Sequence, residues 1–80
     1  LRLPVPRIIV ERLTDGDDTL LRLTSSCYAK YVTLGLPAEY DLSDDCFDLL
    51  PGVPHVVRVK GAAEPADPVI RNYLDYKKPN

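Results

Sequence analysis

Apolar and polar residues alternate in several short stretches of the chain, and this pattern predicts β-strands. In segment 29–36, Val32, Leu34 and Leu36 alternate with polar or small residues, which is the period of two expected for a half-buried strand. The same pattern, or a β-branched composition, predicts further strands over 7–13, 19–24, 39–42, 46–49 and 54–60.

Turn signals separate these segments. The run Asp-Gly-Asp-Asp at 15–18 predicts a tight turn. Pro51-Gly52 predicts a type II turn, because Pro favours its first central position and Gly tolerates the positive φ of the second. No convincing helix lies between the strands to make a parallel crossover, so the pattern favours an antiparallel sandwich. The alternative is an OB-type barrel, which would need longer, coiled strands and usually a helix.

The segment 69–76 fits two descriptions. Asp67 followed by Pro68 is typical of an N-cap and a first helical residue, and a helix from there would place Ile70 and Leu74 on one face. In an extended strand the same two residues would also share one side. Residue patterning alone leaves both descriptions open.

The length of 80 residues predicts one domain, 1–80, in which residues 77–80 form a frayed tail. The sequence contains no methionine, not even at position 1, so we expect it to be a piece of a longer polypeptide. Ten basic and twelve acidic side chains are interspersed, and the densest basic patch is only Lys77-Lys78. We therefore expect no nucleic-acid partner. No apolar run approaches the roughly 20 residues that span a bilayer, so no membrane partner is expected either.

Cys27 and Cys46 allow at most one disulfide, and the sequence does not decide whether they are joined. We expect both to be free, partly buried thiols, because a buried cysteine behaves as a small hydrophobic residue. The single histidine and the absence of a Cys-x-x-Cys motif leave a zinc site without ligands. No cofactor is therefore predicted.

Residues 42–52, Leu-Ser-Asp-Asp-Cys-Phe-Asp-Leu-Leu-Pro-Gly, resemble the signature of one domain family. That family is the C-terminal immunoglobulin-like domain of β-mannosidases and related glycoside hydrolases of family two. Its pattern, Ser-Asp-Asn-aromatic-Phe-Asp-Leu-Leu-Pro-Gly-Glu, precedes a strand of alternating valines, which here is 56–60. Segment 29–34 is similar to the preceding strand of the family, and 70–76 is weakly similar to its final strand, which favours a strand there.

Two departures from the family pattern affect packing near the turn. Asp45-Cys46 replaces the usual Asn-aromatic pair, which leaves a smaller side chain under the loop. Val53 stands where Glu is usual, which removes a charge beside the turn. Neither position is catalytic in the family, because its catalytic glutamates lie on a separate barrel domain that this chain does not contain.

The resemblance implies an all-β fold, an immunoglobulin-like antiparallel β-sandwich of about seven strands. It also implies a non-catalytic accessory domain of a β-mannosidase-like glycoside hydrolase, with the other domains of the same polypeptide as its partners. No catalytic residue is carried over from the family to this chain.

The acidic residues are the natural candidates for catalytic and metal-binding groups. A retaining glycosidase needs two carboxyl groups about 5–5.5 Å apart in a cleft. Most acids here fall at turns or on outward strand positions, where they are hydrated: Glu11, Glu39, Asp41, Asp44, Asp45, Asp48 and Glu64. Four of these, between 41 and 48, are the best candidate for a calcium site, but their spacing does not match an EF-hand. Catalytic, cofactor-binding and metal-binding residues are therefore all predicted to be none.

His55 could in principle act as a base toward a nearby serine, Ser25, Ser26 or Ser43. No Gly-x-Ser-x-Gly elbow surrounds any of these serines, and a half-exposed histidine after Pro54 is ordinary at the start of a strand. We therefore expect His55 to have a structural role and not a catalytic one.

The five tyrosines suggest an alternative function, because aromatic rings stack on the apolar faces of sugars. They are dispersed along the sequence, without any tryptophan, and we expect Tyr28 and Tyr31 to pack against the edge of the sandwich. The alternatives to an accessory domain are thus a carbohydrate-binding module that uses exposed tyrosines, with glycan as partner, or a generic cell-surface immunoglobulin-like interaction domain.

Overall fold

A computed structural model describes residues 5–62 and 65–76. The described residues form six strands and one short helix: β1 (Ile8–Asp15), β2 (Asp18–Ser25), β3 (Ala29–Thr33), β4 (Asp41–Leu42), β5 (Cys46–Leu49), β6 (His55–Lys60) and α1 (Tyr73–Tyr76). The predicted frayed tail, 77–80, lies outside the described residues.

The strands form two antiparallel layers. One layer has four strands in the order β1-β2-β6-β4, and the other pairs β3 with β5. This arrangement confirms the predicted all-β, immunoglobulin-like antiparallel sandwich. The described residues contain six strands, close to the expected seven. Segment 69–71 contributes a further short pairing with β3 through a bridge between Thr33 and Arg71.

The hairpin of β1 and β2 confirms the turn predicted at 15–18. Its strands pair without interruption from Ile8 opposite Ser25 to Asp15 opposite Asp18. Only two residues join the last pair, and Gly16 has a φ of 61°. A two-residue hairpin loop needs such a left-handed residue, which explains why a glycine stands there.

Both layers contribute aliphatic side chains to one core. Along β2 every second residue is buried, and the same holds for Val57 and Val59 on β6. The fully buried apolar residues are Leu21, Leu23, Ala29, Val32, Leu34, Leu49, Val57 and Val59. Each buried Val or Leu stabilises the fold by about 1.5–3 kcal/mol, so this period-two pattern is the main reason for the two-layer packing.

The predicted strand 29–36 ends at Thr33 in the structure. Leu34 is nevertheless buried and Leu36 packs partly against the core, as the alternation predicted. The chain turns at Gly35, whose φ is 61°, and a Cβ there would lie 2.7 Å from the carbonyl oxygen of Val69. The close passage of segment 69–71 therefore requires glycine at this position.

The C-terminal segment differs from both predictions. Residues 69–71 are extended, so no helix starts at Pro68, and the chain then forms helix α1, so a strand through residue 76 is wrong. Asn72 caps α1, because its side chain accepts a hydrogen bond from the Leu74 N–H at 2.9 Å. The Asp75 carboxylate accepts from the Asn72 N–H at 2.9 Å, which completes a reciprocal cap.

The predicted strand 39–42 is shorter than expected. Only β4 is extended there, because the Tyr40 N–H donates to the Pro37 carbonyl at 3.1 Å and closes a turn before it. The Tyr40 hydroxyl accepts a hydrogen bond from the Ala66 N–H at 3.1 Å, and its ring packs partly against the core. Tyr40 thus joins the loop after β6 to the rest of the sandwich.

Candidate functional site

Four of the five tyrosines, although dispersed in sequence, lie around the outward side of β3. We call this surface the tyrosine face, and its aromatic members are Tyr28, Tyr31, Tyr73 and Tyr76. Tyr28 and Tyr31, which we expect to pack against the sandwich edge, lie at β3 of the two-stranded layer and are 48% and 50% exposed. Tyr40, by contrast, is half-buried.

A β-bulge in β3 builds the centre of this face. Ala29 is opposite Leu49 and Val32 is opposite Phe47, so Lys30 and Tyr31 together oppose Asp48 alone. A bulge of this kind bends the strand and redirects a side chain. Tyr31 has a φ of 60°, and it is the one residue other than glycine with a positive φ among those described. Such a conformation is strained for a tyrosine and persists only when its surroundings enforce it.

The Asp48 carboxylate holds Tyr31 in this left-handed conformation. Its Oδ1 accepts a hydrogen bond from the Tyr31 N–H at 2.9 Å, which is the amide that the bulge removes from the ladder. Its Oδ2 accepts from the Tyr28 hydroxyl at 2.7 Å. The predicted hydrated acid of the 42–52 signature is therefore exposed but also fixed, and it holds two of the tyrosines in place.

These bonds perturb both titrating partners. Donation from the Tyr31 N–H, with smaller effects from the Tyr28 hydroxyl and the Lys30 charge, lowers the pKa of Asp48 below its usual 3.8. The bond to Asp48 raises the pKa of Tyr28 above its usual 10.0, because loss of the proton would break the bond and place two negative charges together. Asp48 is thus an anion and Tyr28 a neutral donor across the physiological range.

The remaining tyrosines are also positioned by specific contacts. The rings of Tyr31 and Tyr76 meet edge to face, with centroids 5.8 Å apart and planes at 78°. The Tyr76 hydroxyl is 2.7 Å from Thr33 Oγ1. Lys30 Nζ lies 5.2 Å from the centroid of the Tyr73 ring, within the range of a cation–π contact.

The other layer presents a different outward surface, which we call the aliphatic face. Ile9 and Leu13 of β1, Leu20 of β2 and Val56 of β6 lie on the side of the sheet opposite the buried residues. Ile9 is 65% exposed and Val56 is 50% exposed. Several exposed aliphatic side chains on one sheet face are typical of a surface that contacts another molecule or domain.

Ion pairs lie among the aliphatic side chains of this face, because Glu11 stands between Ile9 and Leu13 on β1 and Arg22 is opposite Val56. Arg58 donates to Asp15 at 2.7 Å and to Asp18 at 2.8 Å, and Glu11 pairs with Arg22 at 3.8 Å. The Gly61 N–H donates to Asp18 and, together with Arg58, lowers the pKa of Asp18 below its usual 3.8. These contacts join the end of the β1–β2 hairpin to β6.

The rest of the 42–52 signature is used to hold the two layers together. Ser43 Oγ accepts from the Arg58 N–H at 2.9 Å, which attaches the start of the loop to β6. The Phe47 ring stacks on His55 with centroids 4.0 Å apart, and His55 Nε2 is 3.1 Å from the Asp44 carboxylate. Asp45 accepts from the Leu34 N–H at 3.4 Å. These side chains serve the fold.

The turn at Pro51-Gly52 has the predicted form. Gly52 has a φ of 70°, and the Val53 N–H donates to the Leu50 carbonyl at 3.1 Å across the turn. The Gly52 N–H also donates to the Ser25 carbonyl at 2.9 Å, which attaches the turn to the end of β2. The signature therefore ends in a turn that is itself joined to the four-stranded layer.

The structure does not bring His55 to any of the three candidate serines. The Ser25 hydroxyl donates to the Cys27 carbonyl at 2.7 Å, and Ser26 Oγ accepts from the Arg7 N–H at 2.9 Å. Ser43 Oγ accepts the hydrogen bond from β6 described above. Three of the acids between 41 and 48 are bonded to different partners. Within residues 5–62 and 65–76 no three His, Cys, Asp or Glu side chains converge as metal ligands would. Glu64, another candidate acid, lies outside the described residues.

The two cysteines are free in the structure, as expected. Cys27 is half-buried, but Cys46 is exposed, so the expectation of partial burial is wrong for Cys46. Its position explains the difference, because Cys46 is opposite Thr33 on the outward side of β5. Alternation along the strand places the apolar Phe47 and Leu49 inward instead.

An open depression of about 470 Å³ lies at one end of the aliphatic face and is lined by Arg7, Ile9, Thr24, Ser25 and Ser26. It contains neither a carboxylate nor an imidazole, so it does not assemble the groups that glycoside hydrolysis requires. The described residues contain no helix that could span a lipid bilayer.

Sequence reasoning identified the 42–52 signature but missed the bulge and the tyrosine face. The available signal was Asp48, a charged residue in the middle of a short strand, opposite the Tyr-Ala-Lys-Tyr run at 28–31. Periodicity alone does not show that two residues will oppose one.

Comparison with known proteins places this geometry in a family. No curated protein matches the chain. The family model Ig_mannosidase, described as an Ig-fold domain, matches residues 3–75 and therefore covers both layers, the signature and most of α1. The two-layer antiparallel fold and the extent of this match lead to one conclusion: the chain belongs to the Ig_mannosidase family of Ig-fold domains.

Proposed function

We propose that this chain is a non-catalytic accessory domain of a β-mannosidase-like glycoside hydrolase. We propose further that it packs against other domains of the same polypeptide through the aliphatic face. Membership of a mannosidase-associated family supports the link to this class of enzyme. The resemblance of residues 42–52, which lie within the matched range, to the β-mannosidase signature points to the same class of enzyme.

The proposal that this domain packs against another one rests on the aliphatic face. Ile9, Leu13 and Val56 are exposed on a regular sheet surface, where their contact with water is unfavourable. Charged side chains stand between them and already have partners, in the Glu11–Arg22 pair and the Arg58 cluster. A surface that mixes exposed aliphatic side chains with paired charges has the composition of a non-obligate protein interface, which is about as apolar as the rest of a protein surface.

The carboxylates of the signature support a non-catalytic role. Asp44 contacts His55, Asp45 accepts from a backbone amide, and Asp48 holds the bulge. A group that acts as acid or nucleophile must instead face a cleft that receives the sugar. The signature therefore stabilises a fold, and the reacting groups of the enzyme would belong to another domain.

A direct assay tests the absence of catalysis. The purified 80-residue chain should not hydrolyse an aryl β-mannoside, whereas the longer polypeptide that contains it should. Measurable turnover by the 80-residue chain, retained through repeated purification, would contradict the proposal.

A pair of variants tests the packing role. Val56→Ser on the aliphatic face should lower the melting temperature of the longer polypeptide while leaving that of the 80-residue chain nearly unchanged. Val53→Ser is the matched control, because Val53 is exposed to the same degree, 51% against 50%, but lies in the turn after Gly52. Equal effects of the two substitutions on the longer polypeptide would argue against the aliphatic face as the interface.

A further inference from the structure

We propose that the tyrosine face is a binding surface for a single chain of a neutral oligosaccharide. This role is separate from packing, because it uses the outward side of the other layer. Nothing in the proposal requires the domain to be catalytic.

The exposure of the rings is the first argument. Tyr31 is 50% exposed and Tyr76 is 53% exposed, so part of each ring is available to a ligand. The apolar C–H face of a pyranose ring can lie against such an aromatic surface, while its hydroxyls remain free for polar contacts. The aliphatic face lacks flat rings and is therefore better suited to protein side chains.

The strained backbone of Tyr31 is the second argument. A tyrosine at a φ of 60° is unfavourable, and glycine or asparagine would occupy the position more easily. Its ring is half exposed, so burial in the core does not explain why a tyrosine stands there. Strain of this kind clusters at ligand-binding positions, where it fixes a side chain in advance of binding.

The polar groups between the rings are the third argument. Asp48 is exposed, and each carboxylate oxygen has a second lone pair after its bond to Tyr28 or Tyr31. Those lone pairs can accept hydrogen bonds from sugar hydroxyls. Lys30 provides a positive charge close to the negative charge of Asp48. Because charges of both signs lie within the face, the surface favours a neutral ligand over one that is charged at every sugar.

The angle between the rings limits the shape of the ligand. Tyr31 and Tyr76 meet at 78°, so together they form a corner and not a flat platform. A corner can contact successive sugars of one flexible chain. The flat surface of a crystalline polysaccharide would touch only one ring at a time, so a soluble oligosaccharide is the better fit.

Calorimetric titration of the 80-residue chain with β-1,4-linked mannopentaose tests the proposal. We expect saturable binding by the natural chain. Tyr31→Gly should weaken the affinity by about tenfold or more, because a stacked ring is lost while the left-handed backbone is kept.

Two controls sharpen the test. Tyr40→Phe alters the tyrosine that bonds the Ala66 N–H away from this face, and it should bind normally. An oligogalacturonate of five residues, charged at every sugar, should bind more weakly than mannopentaose. Circular dichroism of each variant shows whether it is folded.

Several results would overturn the proposal. One is that neither mannopentaose nor cellopentaose, a second neutral pentasaccharide, gives a saturable heat of binding. Another is that folded Tyr31→Gly binds mannopentaose with unchanged affinity. Tighter binding of the oligogalacturonate would refute a neutral ligand. If Tyr31→Gly instead destabilised the longer polypeptide without affecting sugar binding, the tyrosine face would be a protein interface. The aryl β-mannoside assay is unaffected by all of these outcomes, so it tests the accessory role separately.

Discussion

On the aliphatic face the strands run in unbroken register, whereas the tyrosine face lies over a bulge. From Ile8 to Asp15 every residue of β1 has a partner on β2, and alternation alone decides which side chains face outward. Around β3 the register shifts between Ala29 and Val32, and Tyr31 adopts a left-handed backbone.

The difference shows two ways to expose apolar surface on a small sandwich. A regular sheet exposes aliphatic side chains at no conformational cost, which suits a broad contact with a neighbouring domain. A bulge redirects one residue at a conformational cost and needs a dedicated partner, here Asp48. That cost is understandable if the redirected ring binds a ligand.

The largest predicted effect comes from disturbing the contact between Gly35 and segment 69–71, which leads into the helix that carries Tyr73 and Tyr76. Gly35→Ala would place a Cβ 2.7 Å from the Val69 carbonyl oxygen in a left-handed backbone. We expect a loss of unfolding free energy on the order of 2–4 kcal/mol, which combines strain and overpacking. Chemical denaturation measures this value.

Gly16→Ala is the matched control for Gly35→Ala. Gly16 has the same φ of 61°, but a Cβ added there would have nothing within 4 Å, so only the backbone strain remains. We expect a loss of about 1–2 kcal/mol. Equal losses at the two glycines would show that segment 69–71 does not press against β3 as described.

A second, smaller effect concerns the carboxylate that holds the bulge. Asp48→Ala removes the acceptor of both the Tyr31 N–H and the Tyr28 hydroxyl, so it should lower the melting temperature and loosen the tyrosine face. Asp41→Ala is the control, because Asp41 is exposed in β4 and lies opposite Lys60 on the other layer. Asp48→Ala should therefore have a lower melting temperature than Asp41→Ala. Identical melting temperatures would show that Asp48 does not stabilise the bulge.

The pH dependence of stability should reflect the same carboxylate. The folded chain holds the pKa of Asp48 and of Asp18 below the usual 3.8, so the unfolded chain binds protons at a higher pH than the folded one. The stability that they contribute is therefore present above the usual value and is lost as the pH falls through the lowered values. Melting temperatures between neutral pH and acid should decrease in this range, and Asp48→Asn should make the decrease shallower.

Two observations would contradict this account of acid sensitivity. One is a melting temperature that is flat or rising as the pH falls below 3.8. The other is an Asp48→Asn profile parallel to that of the natural chain. Ultraviolet titration gives an independent check at high pH, where Asp48→Asn should return the pKa of Tyr28 toward its usual 10.0.

The smallest predicted effect lies on the aliphatic face. Ile9→Ser should change the unfolding free energy of the 80-residue chain by no more than about 0.5 kcal/mol, because the side chain is 65% exposed. A loss as large as that of a core residue would mean that Ile9 is packed within the domain, and the aliphatic face would then be part of the core.

Much of the fold could be predicted from the sequence, because it follows local rules. The period of two placed Val57 and Val59 on the buried side of β6, and Pro51-Gly52 specified its turn. The resemblance of residues 42–52 identified the family that the match over 3–75 shows.

The remaining features depend on contacts between distant segments. The bulge at Tyr31 requires Asp48 on the opposite strand, and the turn at Gly35 is constrained by Val69. The start of α1 had a local signal in Asn72 and Asp75, but the Asp67-Pro68 pair offered a competing helix start. Tertiary pairing of Arg71 with Thr33 kept the chain extended up to the later cap.

A nuclear magnetic resonance titration of the 80-residue chain with mannopentaose compares the two faces in one experiment. We predict saturating shifts of the Tyr31, Thr33 and Asp48 amides, with the Ile9 and Val56 amides unchanged. Saturating shifts centred on Ile9 and Val56, or no saturating shift at any amide, would contradict the division between a packing face and a sugar-binding face.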